Sequence, residues 1–390
     1  MTVVRAPRKK GRNRLGVVTP LIDFSAQPIL TSFLQIFSAL YDDVFVATRG
    51  FNPEHLANSS QNIHIRNINY GLKRDTAKTL AEKAFENIVI PLSLCLEIIR
   101  MPRGTKTVVF LLGTIVLIPP IIIAKLLRKK TVYVLTGLYS KNAEAFYQDT
   151  LFDRTLLRVL RILDRFTLSI VNQIIGYTSN TVAEFDLDKF KYKIWGNGAR
   201  FIDTELLKIS TDLKERGNLV GYIGRFRGEK GTLNFADAIP LLSQERPDLE
   251  FSMVGNGPLL EEVEQRIKSC NSSKITLTKW IDHDEVPPHL NRLKLLVIPS
   301  NSETGPYIAL EAMACGTPIL ATPCGFIPDI IKDGETGFIL EDNSPESVAQ
   351  NVLRALNHPN LEQIVSNAQK AVAEGYTFEA AVEKYKRILG

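Results

Sequence analysis

Along most of the chain, short uninterrupted apolar runs alternate with longer stretches whose apolar residues recur every three or four positions. The first pattern marks strands buried on both faces, the second helices packed on one side. Strands are predicted at Arg14–Val18, Asp43–Ala47, Ile63–Arg66, Thr131–Leu135 and Ile174–Ser179. Between them, helical spacing covers Ser25–Leu40, about Thr76–Arg100 with an interruption before Pro91, and Phe152–Ile170. In the second half, strands at Leu219–Gly224, Leu249–Val254, Ile275–Thr278 and Leu295–Pro299 run into helices at short spacing. Such alternation needs crossover helices and therefore parallel sheets. A chain of 390 residues is long enough for two such domains.

Val108–Ala124 is the most apolar segment, seventeen residues without a charge. A membrane span needs about 20. Gly113 and Pro119-Pro120 break this one, so it reads as a buried strand, a loop and a helix, with an interfacial helix or a true span as the alternatives.

Composition adds one asymmetry. The content of 45% hydrophobic and 23% charged residues is that of a folded, soluble chain. Residues 1–200 carry 28 Lys and Arg against 15 Asp and Glu, whereas residues 201–390 carry 19 against 27. A basic first half suggests an anionic partner. Arg154, Arg158, Arg161 and Arg165 recur along one face of the helix at 152–170, either as a solvated stripe or as a docking face for a membrane or a phosphate-bearing acceptor. The start, residues 1–14, is basic without a long apolar core; it reads as a disordered tail, with contact to an anionic membrane surface as the alternative, and not as a signal peptide. Cys95, Cys270, Cys315 and Cys324 are scattered, as expected of reduced core thiols in a cytosolic protein.

Candidate chemistry concentrates in Asn301–Leu340, directly after the strand at Leu295–Pro299. Glu303 precedes Gly305-Pro306, where a proline at the first helical position leaves the amides of Tyr307 and Ile308 to face an anion. Glu311 follows Glu303 by eight residues, about 12 Å along a helix at roughly 1.5 Å per residue. Acid/base carboxylate pairs of glycosidases stand closer, at about 5–9.5 Å, so the two glutamates should hold different parts of one long ligand. The turns after the four strands of the second half should converge outside the carboxyl ends of that sheet. They include Arg225-Phe-Arg-Gly-Glu-Lys230-Gly231, Gly255-Asn-Gly-Pro258 and Trp280-Ile281. Asp186-Leu-Asp188 and Asp282-His-Asp284 have the form of metal-diphosphate triplets, but neither follows the strand such a site needs, and Asp282 stands where a helix cap is expected.

The spacing of Glu303 and Glu311, followed by AMACGTPILAT and GFIPDII and preceded by GRFRGEKG, resembles glycosyltransferase family 4. Thr304-Gly305-Pro306 matches the ExxPxxxxE version of its motif. That resemblance is specific over residues 215–345 and general over the first 200. It implies the α/β GT-B fold, two Rossmann-like parallel-sheet domains facing a cleft, with a C-terminal helix crossing back to the first. The expected domains are a basic tail at 1–14, an acceptor-side domain at 15–198, a linker at 199–216, a nucleotide-sugar domain at 217–375 and the crossover helix at 376–390.

The resemblance further implies a retaining glycosyltransferase that moves a sugar from a UDP- or GDP-hexose to a glycan or lipid-linked acceptor. Cell-surface polysaccharide, glycolipid or glycoprotein glycan synthesis would be its setting, on the cytoplasmic side, with peripheral contact to an anionic membrane surface as one option and nucleic acid excluded. Arg225 and Lys230 would bind the diphosphate, Glu311 the ribose and Glu303 the hexose, with Gly305, Tyr307 and Ile308 around the phosphates and Trp280-Ile281 near the base. No cofactor and no metal are expected, since the two cations can stabilise the leaving group. The chain departs from the family in three places. Pro20–Pro28 lacks the first Gly-Gly turn, Arg200 replaces an aspartate, and no histidine follows Thr131–Leu135, which leaves Tyr139 and Lys141 as acceptor-side candidates. A nucleotide-sugar epimerase of the same fold and a non-catalytic nucleotide-sugar sensor are the competing readings.

Overall fold

The computed structural model describes residues 13–21, 27–53, 56, 61–68, 80–113, 115–144, 150–196, 198, 200–270, 274–302 and 305–390. They form two compact units, Met1–Gly198 with Val382–Gly390, and Ala199–Ala381.

The first unit is built on strands β1 (Arg14–Leu21), β2 (Asp43–Arg49), β3 (Ile63–Asn67), β4 (Thr105–Phe110), β5 (Lys130–Leu135), β6 (Gln173–Gly176) and β7 (Ile194–Trp195). Their order is β3-β2-β1-β4-β5-β6-β7, with every neighbouring pair parallel. Helices α1 (Gln27–Leu40), α2 (Leu80–Arg100), α3 (Ile118–Leu126), α4 (Tyr139–Glu144), α5 (Leu151–Ile170) and α6 (Thr181–Glu184) provide the crossovers. Ile90, Leu94 and Ile98 of α2, Ile121 and Ala124 of α3 and Leu168 of α5 share one core, so these three helices cover one face of the sheet. Thr150 starts α5 with a capping box: its hydroxyl accepts from the Asp153 amide at 3.1 Å, and the Asp153 carboxylate accepts from the Thr150 amide at 3.2 Å.

The second unit has strands β8 (Leu219–Ile223), β9 (Glu250–Val254), β10 (Ile275–Thr278), β11 (Leu295–Ile298), β12 (Ile319–Ala321) and β13 (Phe338–Ile339), in the parallel order β10-β9-β8-β11-β12-β13. Helices α7 (Thr232–Glu245), α8 (Leu260–Ser269) and α12 (Pro345–Leu356) bury Phe235, Val263 and Val352 on one side. On the other, α9 (Val286–Leu290), α10 (Tyr307–Ala314), α11 (Ile327–Ile330) and α13 (Leu361–Gly375) bury Leu290, Leu310, Ile327 and Val372. The last helix, α14 (Phe378–Leu389), returns the chain end to the first unit. There Tyr385 is fully buried edge-on to Phe33 and Phe37, and Gln173 Nε2 donates to the Ile388 carbonyl at 2.7 Å.

Several expectations change. Helix α2 runs without a break through Pro91, because the buried residues on both sides of it hold the helix to the sheet. Pro306 is not the first residue of α10 but its cap, in an extended conformation with ψ 104°, so the helix that carries Glu311 starts at Tyr307. Within the expected linker at 199–216, Ile202, Leu207 and Arg216 are buried in the second unit. Of the four cysteines, Cys95 and Cys315 are buried, while Cys270 and Cys324 are half-buried. Val108–Ala124 resolves into β4, a 3-10 turn at Ile115–Leu117 and α3, as expected, and no helix among the described residues is long and apolar enough to cross a membrane. The basic tail up to residue 12 and most of the loop between β1 and α1 lie outside the described residues.

Candidate active site

In the second sheet the strand order reverses between β8 and β11, since the chain builds outward on one side of β8 and then crosses to the other. The loops leaving these two strands diverge, and open α/β sheets bind ligands in that crevice. A cavity of ≈ 270 Å³ lies there, lined by Ile223, Arg225, Lys230, Ser300, Tyr307 and Ile308 among others.

Its walls are fixed from below. Phe226 is fully buried, and its amide donates to the Asn256 carbonyl at 2.9 Å. The Tyr222 hydroxyl donates to the Arg225 carbonyl at 3.2 Å and lies 2.8 Å from the Thr232 hydroxyl. With its two neighbours pinned, Arg225 stands exposed and pairs with no carboxylate among the described residues. Lys230 ends a 3-10 turn, Gly228–Lys230, and is half-buried. Gly231 follows at φ 62°, and a Cβ there would overlap the Pro299 carbonyl oxygen. Only glycine allows the β8 and β11 loops to approach this closely. The amide of Asn301 then donates to the Glu229 carbonyl at 2.8 Å, joining the two walls.

The opposite side of the cavity is the start of α10. Pro306 caps that helix without a side-chain hydrogen bond, so its positive end is directed at the cavity. The structure therefore brings Arg225, Lys230, Tyr307 and Ile308 together around one space suited to an anion. Gly305 adjoins it, against Arg200.

Glu311 lies one helical turn beyond Tyr307 and is half-buried. Burial pushes its carboxyl up from the usual carboxylate range, and nearby His283 opposes part of that rise. His283 belongs to the turn after β10, which also carries Trp280 and Ile281. Trp280 is 68% exposed, and its indole N–H donates to the Asp282 carboxylate at 3.3 Å. It is a surface residue, not a core one, and Asp282 makes no cap hydrogen bond.

Glu303 lies outside the described residues. Tyr139 and Lys141 are on α4 of the first unit. Tyr139 is exposed, whereas the Lys141 ammonium donates to the Glu184 carbonyl and sits 5.2 Å from the Phe185 ring centre. Among the described residues, no three His, Cys, Asp or Glu side chains are grouped to hold a metal ion.

Sequence reasoning missed two buried arginines in the second unit. Arg216 donates to the Leu293 and Cys315 carbonyls at 3.0 and 2.7 Å and to the Thr317 hydroxyl at 2.9 Å, holding the end of α10. Arg200 lies 4.0 Å from the Phe326 ring centre and against Gly305. Arg200 was visible only as a departure from the aspartate in the family pattern; Arg216 had no signal.

Residues 203–372 match the family described as glycosyl transferases group 1. Over this stretch the chain is similar to that family. An uncharacterized glycosyltransferase, MJ1178 of Methanocaldococcus jannaschii, is 29% identical over 43% of this chain and 46% of its own. The alpha-D-kanosaminyltransferase of Streptomyces kanamyceticus is 29% identical over 47% of this chain and 49% of its own. The chain thus matches about half the length of these curated relatives. Among solved structures, Anabaena Alr3699/HepE in complex with UDP and glucose superposes with a TM-score of 0.69 at 18% identity, covering 97% of this chain and 99% of that one. The shared fold is GT-B, and the stretch similar to group 1 lies within the second unit, which contains the cationic cavity.

Proposed function

We propose that this protein is a retaining hexosyltransferase that takes its sugar from a nucleotide diphosphate donor, with UDP as the nucleotide. The observation that carries the reading is the cavity at the β8/β11 reversal, where Arg225, Lys230 and the start of α10 surround space for a diphosphate. A UDP complex of a protein with the same fold supports the choice of nucleotide.

In the proposed reaction the bond between the sugar C1 and the diphosphate oxygen breaks, and C1 bonds to an acceptor hydroxyl oxygen on the same face. The hydroxyl proton passes to the departing phosphate oxygen. Negative charge grows on the diphosphate as the bond lengthens, so preorganised cations lower the barrier more than they stabilise the bound donor. Arg225 can fork two phosphate oxygens, and Lys230 supplies a point charge. These two groups take the role a metal ion would otherwise fill. Glu311 accepts from the ribose hydroxyls, and Glu303 is assigned to the hexose. The acceptor is a glycan or lipid-linked sugar of cell-surface polysaccharide, glycolipid or glycoprotein glycan synthesis on the cytoplasmic side.

The test is release of nucleotide from UDP-, GDP- and ADP-sugars in EDTA, with and without lipid acceptors, beside an Arg225→Ala variant. Acceptor-dependent release of UDP that disappears in the variant is expected, with the product anomer matching the donor. Release that requires a divalent cation, or an inverted product, would sink the corresponding part of the proposal.

A further inference from the structure

The outer surface of α2, α3 and α5 carries more exposed apolar side chains than folding requires. Ile88, Leu92, Leu96 and Ile99 recur at steps of four, four and three along α2 and are each 50–62% exposed. Ile122 and Leu126 extend the surface on α3, at 40% and 73%. On α5, Val159, Ile162 and Phe166 form a second apolar stripe, opposite the buried Leu157, Leu160 and Leu168. A single exposed leucine is ordinary; rows on three helices of one layer mark an interaction surface.

Charge identifies the partner. The acids with described side chains on these helices are all engaged. Glu97 is paired with Arg66 and Arg100, Asp153 is used in the capping box, and buried Asp164 accepts from the Ser140 amide at 2.9 Å. The cations beside the stripes are not: Lys125, Arg128, Arg154 and Arg158 are exposed and pair with no carboxylate among the described residues. Apolar rows bordered by unpaired cations suit a lipid surface of negative charge, whose headgroups meet the cations while the apolar side chains enter the acyl boundary. A protein partner would instead need acids of its own placed against each row.

We propose that the α2–α3–α5 face docks on an anionic bilayer surface without spanning it. This face belongs entirely to the first unit and does not depend on the transferase reading.

The experiment is co-sedimentation of the full chain with vesicles of phosphatidylcholine alone or mixed equally with phosphatidylglycerol, at low and high salt. The wild type is expected to sediment with the anionic vesicles, more strongly at low salt. Arg154→Glu/Arg158→Glu should weaken binding by about tenfold or more, and Leu92→Glu/Ile162→Glu should abolish it. The arginine variant alters only exposed side chains, so it remains decisive should the apolar variant unfold. Failure to bind anionic vesicles, or equal binding by wild type and the arginine variant, would overturn the proposal. So would a wild-type dimer that binds no vesicles and dissociates in the apolar variant, which would assign the face to a second copy of the chain.

Discussion

The guanidinium of Arg200 lies directly against the backbone of Gly305, so that a Cβ at Gly305 would clash with Arg200 Nη2. The same guanidinium sits 4.0 Å from the Phe326 ring centre, and its side chain is buried. It therefore has little room to yield. Gly305→Ala is expected to cost about 1–3 kcal/mol of stability through overpacking and to weaken UDP binding by moving the start of α10. Urea unfolding and calorimetry check both effects, and a double-mutant cycle with Arg200→Ala should show strong coupling. Additive losses would mean that the two residues act independently.

Arg225→Ala and Lys230→Ala should each weaken UDP binding by about 1.5–3 kcal/mol, the range for hydrogen bonds to charged groups. Arg225→Lys should recover only part of the loss, because an ammonium cannot fork two oxygens. Titration calorimetry with UDP measures all three. Unchanged affinity in both alanine variants would place the diphosphate elsewhere.

Burial raises the Glu311 carboxyl, so the folded chain holds that proton more tightly than the unfolded chain does. The resulting stability is fully present below the unfolded value of 4.5 and is lost as pH rises through the raised folded value. Glu311→Gln removes this titration. Between pH 4 and pH 8, taken as roughly spanning the window of a raised carboxylate, the wild type should lose stability relative to the variant. Parallel urea midpoints for the two proteins would refute this, whereas weaker UDP binding by the variant would separately support the ribose role.

Arg216 satisfies carbonyls of Leu293, Thr211 and Cys315 and the Thr317 hydroxyl within the second unit. Arg216→Ala leaves several buried acceptors unpaired, at about 1–3 kcal/mol each before relaxation. A loss of at least about 3 kcal/mol is expected on that basis. Arg216→Lys should rescue little, since one ammonium cannot reach all four acceptors. Chemical unfolding provides the measurement, and a loss near zero would show that water replaces the guanidinium.

The sequence by itself determined the GT-B fold class and the strands that organise the second unit. Strands β8, β9 and β11 are largely buried apolar runs, and such runs advertise themselves without reference to anything distant, whereas β10, at the sheet edge, alternates apolar residues with threonines. Strands β7 and β13, with two residues each, and β12, with three, are too short to carry a pattern; they exist because longer neighbours offer them a ladder. The cations of GRFRGEKG were legible as a candidate diphosphate site, but their shared cavity with Tyr307 and Ile308 follows from the order reversal at β8 and β11, which is a property of the sheet. Only tertiary structure decided that Arg200 and Arg216 are buried, and that the apolar rows on α2 and α5 face outward. Helical periodicity shows that a stripe exists; which stripe meets the core is settled by the elements packed against it.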